Sequence, residues 1–331
     1  MSNQLAQAPH LLKSGTVLYN KYRIEKVIGQ GGFGITYLGV DCSISQKVAI
    51  KEYYPNGFSR RNISDGMTVM PVHGDKSSFF QSGKSKFIDE TRRLSRFSMF
   101  PEIVTAKDFF EENGTAYIIM EFIEGSTLKY TLAQMGGRMQ ETHILELMKP
   151  LMNSLSEIHK SGIIHRDIAP DNIMIQYPNG NVKLLDFGAA REIEFKGKST
   201  IALAKHGYAP EEQYDSNRNR NGPWTDVYAI CATIFHAIEG KPPPNAYNRL
   251  KKDDFKGFTI SVSPSTKRAI EKGLAVRPQD RWQNISLLST ALYPRKPQKN
   301  LAKSMTANAP NQKTEPSILD KISTFLERLF K

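Results

Sequence analysis

Short runs in which apolar and polar residues alternate occupy much of the first third of the chain. An alternation with a period of two is typical of half-buried β-strands. The runs that predict strands are residues 22–28, 35–38, 47–52 and 115–122. Residues 87–97 predict a helix, whereas the polar segment 55–84 is too rich in Ser, Gly and Asn for one regular element. We therefore expect a strand-rich first part with one helix.

Beyond residue 124 the apolar period changes to that of an α-helix. The apolar positions that recur at helical spacing are Ile144, Leu147, Met148, Leu151, Leu155 and Ile158. Residues 226–238 are apolar enough to form a buried helix. The pattern therefore predicts an α+β fold, in which a small β-rich first lobe precedes a larger, mainly helical second lobe.

The last part of the chain has a different composition and is predicted to be a separate module. Residues 295–316 are polar and predict a flexible linker. Residues 317–331 predict a short amphipathic helix with Ser317 near its N-cap. Its apolar face consists of Ile318, Leu319, Ile322, Phe325, Leu326, Leu329 and Phe330. This face could dock on the rest of the chain, on a membrane surface or on a partner, and these alternatives stay open.

Composition narrows the class of protein. The content of 39% hydrophobic and 24% charged residues is ordinary for a globular protein. No run of about 18 apolar residues occurs, and the first residues show no signal-peptide pattern. The two cysteines, Cys42 and Cys231, are too few for a disulfide framework and have no metal-site spacing. A cytoplasmic location is the simplest expectation.

The net charge of +12 is spread along the chain rather than gathered in one block. From Arg295 onward, eight Lys or Arg face three Asp or Glu, which accounts for +5 of the total. A solvated basic surface explains this distribution, so we expect no specific nucleic-acid partner. General attraction to acidic substrates, anionic lipid or nucleic acid is the weaker alternative.

The residues from Gly29 to Gly34 fit the glycine pattern Gly-x-Gly-x-x-Gly. In dinucleotide-binding folds such a loop leads into a helix. Here Ile35, Thr36 and Tyr37 follow, which favour a strand, so the loop is predicted to join two strands and to close over phosphates. Glycines allow backbone N–H groups to approach the phosphate oxygens closely. The predicted contacts are Gly29, Gln30, Gly31, Gly32, Phe33 and Gly34.

Further motifs follow the glycine loop in a fixed order. The first is Val-Ala-Ile-Lys, which ends at Lys51. A charged side chain in an apolar strand is unfavourable unless it is paired, so Lys51 is expected to have a partner. The second is His-Arg-Asp-Ile-Ala-Pro-Asp-Asn over residues 165–172, which places a carboxylate and a carboxamide in one segment. The third is Asp-Phe-Gly, which begins at Asp186 and adds another carboxylate.

With these motifs, residues 16–292 resemble a eukaryotic-type serine/threonine protein kinase. More narrowly, they are similar to a bacterial subgroup with Gly-Gly-Phe-Gly-Ile-Thr-Tyr in the loop and Lys-Glu-Tyr-Tyr-Pro after the strand. Other matching positions are Arg61, Gly66, Val69, Pro71, the motif Gly-Tyr-Ala-Pro-Glu-Glu-Gln-Tyr over residues 207–214, and Arg281. The resemblance implies a bilobal kinase fold with an N-terminal extension (1–15), an N-lobe (16–123) and a C-lobe (124–294).

The resemblance implies roles for the charged residues of the motifs. Lys51 would contact the α- and β-phosphates of ATP and pair with a helix glutamate, for which Glu90 is preferred over Asp89 and Glu111. The roles expected in the second lobe are proton acceptance or orientation by Asp167 and Mg²⁺ binding by Asn172 and Asp186, with Mn²⁺ as an alternative metal. Beside them, Asp171 is expected to be a solvated neighbour and His165 a packed scaffold residue.

Further implied positions lie around these groups. Asp226 would brace the catalytic loop, which is the motif over residues 165–172, and Arg281 would pair with Glu212 or, on a literal Ala-Pro-Glu match, with Glu211. Ser199 and Thr200 are candidate phosphate acceptors that could meet the charge of Arg166. The residues implied for the adenine pocket are Thr36, Ala49, Met120, Glu121, Ile123 and Met174.

Two departures from the family pattern concern the charge near the γ-phosphate. Serine/threonine kinases usually carry a lysine where this chain has Ala169, and a threonine where it has Lys205. One hypothesis is that Lys205 replaces the missing positive charge. The alternative is that Lys205 points to solvent and that Ala169 weakens the activity.

The resemblance favours an active kinase that transfers the γ-phosphate of ATP to Ser or Thr hydroxyls of proteins. Autophosphorylation between two associated copies is expected. A non-catalytic scaffold is the first rival, and it is disfavoured because Lys51, Glu90, Asp167, Asn172 and Asp186 are all present. A small-molecule phosphotransferase of similar fold is the second rival.

Overall fold

The alternating runs near the start of the chain form antiparallel strands of one sheet. The structure, a computed structural model, describes residues 8–72, 74, 76–186, 205–214 and 220–294, with the backbone alone at residues 90, 93 and 94. The first strands are β1 (Val17–Leu18), β2 (Tyr22–Gln30), β3 (Gly34–Asp41) and β4 (Gln46–Tyr53). Ile35 and Tyr37, two residues apart on β3, are both fully buried, as their alternation predicts.

The insert after β4 contains more regular structure than the sequence suggests. Strands β5 (Ser59–Arg61) and β6 (Val69–Pro71) pair as an antiparallel hairpin. The helix that follows, α1, spans Lys76–Leu94, and a 3₁₀ turn continues it over Ser95–Phe97. The prediction of a helix over 87–97 therefore places its start too late.

Tertiary packing explains the earlier start of α1. Phe80 and Phe87 lie on one face of the helix and contact the ring of Tyr53, with ring centroids 5.2 and 5.5 Å apart. Both phenylalanines are fully buried. Their burial stabilises a first half whose Ser and Gly residues have low helix propensity of their own.

Two more strands complete the sheet of the N-lobe. They are β7 (Ala106–Glu112) and β8 (Thr115–Glu121), and the strand order is β1-β2-β3-β4-β8-β7. The two edges approach each other, because Tyr19 N donates to Glu112 Oε2 at 2.9 Å and the Tyr19 ring stacks on Phe110 at 4.8 Å. The sheet is therefore strongly curled around its apolar core.

The C-lobe is mainly helical, as predicted. Its elements are β9 (Gly125–Thr127), α2 (Leu128–Gln134), α3 (Glu141–Lys160), β10 (Ile173–Gln176), β11 (Val182–Leu184), α4 (Pro223–Glu239), α5 (Ala246–Arg249), α6 (Pro264–Gly273) and α7 (Ile285–Leu292). The apolar positions predicted to recur at helical spacing between Ile144 and Ile158 are all buried on α3. In the ranges that the structure describes, no helix is both long and apolar enough to cross a membrane.

Helix α4 forms the centre of this lobe. It contains the predicted segment 226–238, and nearly every side chain along it is buried, including the charged Asp226. A buried carboxylate is unfavourable unless it accepts several hydrogen bonds. The partners of Asp226 therefore reveal what the helix supports.

Candidate active site

The two lobes meet at an ion pair between Lys51 and Asp186. Lys51 lies on β4, and its Nζ is 2.6 Å from Oδ1 of Asp186, the residue that begins the Asp-Phe-Gly motif. Desolvation alone would raise the pKa of Asp186, but the ammonium group of Lys51 holds that pKa below its ordinary value. The carboxylate is thus ionised at neutral pH and is available to bind a cation.

Glu90, the predicted partner of Lys51, lies on α1, but its side chain is outside the described part of the structure. The two weaker candidates have other partners. Asp89 Oδ1 lies 3.2 Å from Arg92 on the same helix, and Glu111 Oε2 lies 2.6 Å from Lys84 Nζ. The role of Glu90 stays a prediction.

Asp167 and Asn172 lie on the same loop and contact each other directly. Asn172 Nδ2 donates to the backbone oxygen of Asp167 at 2.8 Å and to its Oδ2 at 2.9 Å. The 3₁₀ turn Pro170–Asn172 gives the chain the tight bend that this contact requires. Leu185 N donates to Asn172 O at 2.8 Å, which ties the loop to the residue before Asp186.

Asp226 on α4 supports this loop from below, as the resemblance implies. Its two carboxylate oxygens accept hydrogen bonds from the backbone N–H groups of His165 and Arg166, each at 2.8 Å. His159 Nε2 lies 2.7 Å from Oδ2 of the same carboxylate. Arg166 has a φ of +65°, a conformation that is strained for a side chain of this size and is held by these contacts.

His165 is a packed scaffold residue. Its side chain is buried, and Nε2 donates to Leu185 O at 3.0 Å while Nδ1 accepts from Asp167 N at 3.2 Å. These two contacts together fit the neutral ring with its proton on Nε2. Burial lowers the pKa of His165, which also favours the neutral form.

Lys205 points into the catalytic loop rather than into solvent. Its Nζ lies 2.6 Å from Asp171 Oδ1 and 3.3 Å from Asp167 Oδ1, and its side chain is only 20% exposed. Asp171 was expected to be a solvated neighbour. Its side chain is 43% exposed, yet it forms an ion pair with Lys205, because the fold returns Lys205 to this loop. Ala169 is fully buried nearby in the chain.

The glycine loop joins β2 and β3, as predicted. Gly31 N donates to Gly34 O at 2.9 Å within the turn. A Cβ at Gly34 would lie 2.5 Å from Glu52 O, so only glycine fits there. Among the described atoms, none lies within 4 Å of the Cβ that Gly31 or Gly32 would carry. The space above these two residues is therefore open to a ligand.

The residues implied for the adenine pocket come from both lobes. Ala49 and Met120 are partners across β4 and β8, and both are buried, as is Ile123. Met174 of the C-lobe packs against the apolar core of the N-lobe, as does Leu185. The other implied positions are Thr36, which lies beside Lys51 in the sheet, and Glu121, whose carboxylate lies 2.7 Å from Lys183 Nζ.

Arg281 pairs with Glu212, one of the two partners that the sequence left open. The guanidinium donates to both carboxylate oxygens at 2.8 and 3.0 Å, and both side chains are 0% exposed. Glu211 instead pairs with Arg220. The pair of Arg281 and Glu212 anchors the motif over residues 207–214 to the C-lobe. Ser199 and Thr200 lie outside the described residues.

The residues available for Mg²⁺ are oxygen donors, which suit this metal. The carboxamide of Asn172 and the ionised carboxylate of Asp186 are connected through Leu185. The part of the chain that the structure describes contains no group of three or more His, Cys, Asp or Glu that could hold a metal by itself. A site completed by substrate phosphates fits this donor set, because Mg²⁺ is usually held by one or two carboxylates and phosphate oxygens.

Two features of the site were missed at the sequence level. His159 on α3 contacts Asp226. The only sequence signal for its position was the helical spacing of apolar residues that ends at Ile158. Glu52, which follows Lys51, is fully buried and pairs with Arg61 at 2.6 Å. Successive residues of a strand face opposite sides, so a carboxylate next to Lys51 in an apolar sheet was a signal that a buried cation lies nearby.

Comparison with known proteins agrees with this geometry. A family model described as the protein kinase domain matches residues 22–314. The solved structure "PpkA-294 apo form" is 37% identical with a TM-score of 0.76, and the match covers 86% of this chain and all of that one. The kinase domain of Mycobacterium tuberculosis PknI, at 20% identity and a TM-score of 0.59, shares the fold over 85% of this chain and 98% of its own.

A curated relative is the serine/threonine-protein kinase PknA of Nostoc. It is 28% identical over 292 residues, which are 83% of this chain, and the chain spans 47% of its length. The chain thus covers about half of this relative. The family match, the shared fold and the motif residues gathered in one cleft place the chain in the protein kinase family, among the eukaryotic-like serine/threonine kinases of bacteria.

Proposed function

We propose that this chain transfers the γ-phosphate of ATP to Ser or Thr hydroxyls of protein substrates. The observation that carries the proposal is the cleft in which Lys51 lies 2.6 Å from Asp186, with Asp167 and Asn172 joined beside them. A cation, two carboxylates and a carboxamide are what phosphoryl transfer requires for positioning and charge neutralisation.

Each residue has a distinct task in this proposal. Asp167 orients the substrate hydroxyl and accepts its proton, and Asn172 fixes the carboxylate by donating to Oδ2. Lys51 holds the α- and β-phosphates, and Glu90 orients Lys51. Asn172 and Asp186 hold Mg²⁺ or Mn²⁺, which when bound would neutralise charge on the phosphate oxygens. The glycine loop from Gly29 to Gly34 covers the phosphates through its backbone N–H groups.

In this proposal Lys205 supplies the positive charge that other kinases carry at the position of Ala169. Its support is the position of Nζ, 3.3 Å from Asp167 Oδ1, in a chain that has Ala169 instead of the usual lysine. From there a cation can contact the γ-phosphate while it is transferred to a hydroxyl held by Asp167. The adenine pocket consists of Thr36, Ala49, Met120, Glu121, Ile123 and Met174.

The proposal also includes autophosphorylation between associated copies and a cytoplasmic location. The second is supported by the two cysteines, Cys42 and Cys231, which are both free thiols. The role of the helix predicted at 317–331 lies outside the described residues. The anchored pair of Glu212 and Arg281 favours a protein kinase over a small-molecule phosphotransferase.

Incorporation of phosphate from labelled ATP tests the proposal. The full chain is incubated with Mg²⁺ or Mn²⁺ and a general protein substrate, and phosphoamino acids are separated afterwards. We expect label on Ser or Thr, and we expect Asp186→Asn to abolish it because the metal ligand is lost. An absence of label with wild type in both metals would favour a non-catalytic scaffold instead.

A further inference from the structure

Residues 8–13 precede the family match, which begins at residue 22, but they pack closely on the N-lobe. Leu11 and Leu12 are buried in its apolar core. Leu12 N donates to the hydroxyl of Tyr37 at 3.2 Å, and the carbonyl of His10 accepts from Arg61 Nε at 2.7 Å. The segment is therefore bound to both the sheet and the β5–β6 hairpin.

Arg61 connects these parts through a fully buried cluster. Besides the His10 carbonyl, its guanidinium donates to Met67 O at 2.7 Å and to Glu52 Oε2 at 2.6 Å. Glu52 also accepts hydrogen bonds from Tyr37 and Tyr117, at 2.9 and 3.0 Å. A buried ion pair is tolerated only when its hydrogen bonds are satisfied, and here they fix the hairpin to the residue next to Lys51.

The glycine loop is contacted by His10 and by residues 54–56, which join β4 to this assembly and pack on it through Tyr54 and Arg61. Tyr54 N donates to Phe33 O at 3.0 Å, and Asn56 N donates to Gly32 O at 2.9 Å. The side chain of Gln30 reaches His10, with 3.0 Å between Gln30 Nε2 and His10 Nε2. The ring of His10 also packs on Tyr54, 5.9 Å between centroids. The loop is thus contacted at Gln30, Gly32 and Phe33.

We propose that residues 8–13, residues 54–56 and the β5–β6 hairpin form a brace that holds the glycine loop ready for the phosphates of ATP. His10 and Arg61 are positioning residues in this brace. A loop of four glycines loses much conformational freedom when it closes over a ligand. Ordering the loop in advance lowers this entropic cost and strengthens nucleotide binding. The inference rests on the proposed function, because it takes ATP as the ligand of the loop.

Binding of MgATP to the full chain tests the brace without requiring catalysis. The variants are His10→Ala, Gln30→Ala and the double variant, measured by titration calorimetry. We expect each single variant to raise the Kd about three- to tenfold. The double variant should raise it little further, because both substitutions remove the same contact between His10 and Gln30. Lys13→Ala in the same segment and Ile63→Ala at the exposed hairpin tip are controls with unchanged Kd.

A second measurement separates positioning from general stability. Amide hydrogen exchange over residues 29–34 without nucleotide should accelerate in His10→Ala, while the thermal midpoint and kcat stay close to wild type and the KM for ATP rises. Arg61→Lys keeps the charge but loses the guanidinium group that donates to His10, Met67 and Glu52. It should therefore show the same increase in the KM for ATP.

Several results would overturn the brace. They are a Kd within about twofold of wild type in both single variants, additive effects in the double variant, or unchanged exchange in the loop. Wild type that binds MgATP but transfers no phosphate contradicts the proposed function and leaves the brace supported. Wild type that does not bind MgATP contradicts both.

Discussion

The ammonium group of Lys205 lies between two carboxylates of the catalytic loop, 3.3 Å from Asp167 and 2.6 Å from Asp171. In the family pattern this charge comes from the position that is Ala169 here. During transfer, negative charge on the γ-phosphate is stabilised by cations held at the right distance. The position of Lys205 therefore predicts an effect on the transfer step itself.

Replacing Lys205 tests this effect. Lys205→Ala should lower kcat about 10²-fold, as expected when one group that stabilises transition-state charge is removed. Lys205→Arg should retain part of the activity because the charge remains. Lys160→Ala, at a lysine that is 68% exposed on the C-lobe, is the control and should leave kcat unchanged. Unchanged turnover in both Lys205 variants would contradict the role of this residue.

At the scale of elements, helix α4 determines where the catalytic loop lies. Asp226 is a charged residue on a helix whose side chains are otherwise nearly all buried and mostly apolar. Its carboxylate accepts the backbone N–H groups of His165 and Arg166, which fixes the loop directly before Asp167. The helix thus gives the loop a rigid support, which the proposed catalytic role of Asp167 requires.

Removing this charge should destabilise the fold. We expect Asp226→Asn to lower the free energy of unfolding by about 3–5 kcal/mol, since it weakens several buried hydrogen bonds at once. Glu157→Gln, at a carboxylate that is 53% exposed beside the exposed Lys160, should lower it by less than about 1 kcal/mol. Urea unfolding measures both variants. A loss no larger in Asp226→Asn than in Glu157→Gln would contradict this role.

The contribution of Asp226 to the stability of the fold should depend on pH. Burial would raise its pKa, but the contacts with His159 and the loop hold that pKa below the ordinary value of 3.8. A group with a lowered folded pKa contributes stability above its unfolded pKa and loses it as the pH falls through the folded value. The difference in stability between wild type and Asp226→Asn should therefore shrink below about pH 4. A constant difference would contradict this.

The sequence predicted those elements in which apolar residues recur at a regular spacing because one face of the element is buried. The apolar positions of α3 and the alternation in β3 are examples, because each follows from one buried face. It placed the start of α1 too late, because the first half of that helix is stabilised by the contact of Phe80 with Tyr53. This contact joins distant residues, and no local pattern of the sequence indicates it.

The motifs of the site could be predicted, but several of their partners could not. Asp167, Asn172 and Asp186 follow from the motif spacing, whereas the choice between Glu211 and Glu212 depends on where Arg281 lies in the fold. The pair of Lys205 and Asp171 joins residues far apart in the chain. Such pairs depend on tertiary geometry rather than on periodicity.

At the scale of the whole molecule, the two lobes form one cleft. Lys51 of the N-lobe pairs with Asp186 of the C-lobe, and Met174 and Leu185 pack against the N-lobe core. The nucleotide would thus lie between an apolar pocket and a charged loop. We therefore predict that binding of ATP and transfer of its phosphate depend on different residues, so that a single substitution separates them.

The most direct measurement is phosphate transfer by wild type and Asp167→Asn, with the Kd for MgATP determined on the same samples. Asn retains the shape of Asp167 but cannot accept the proton of the hydroxyl. We predict that wild type transfers phosphate to Ser or Thr, and that Asp167→Asn lowers kcat about 10²–10⁴-fold with the Kd within about twofold. Equal transfer by both proteins would contradict catalysis by this site.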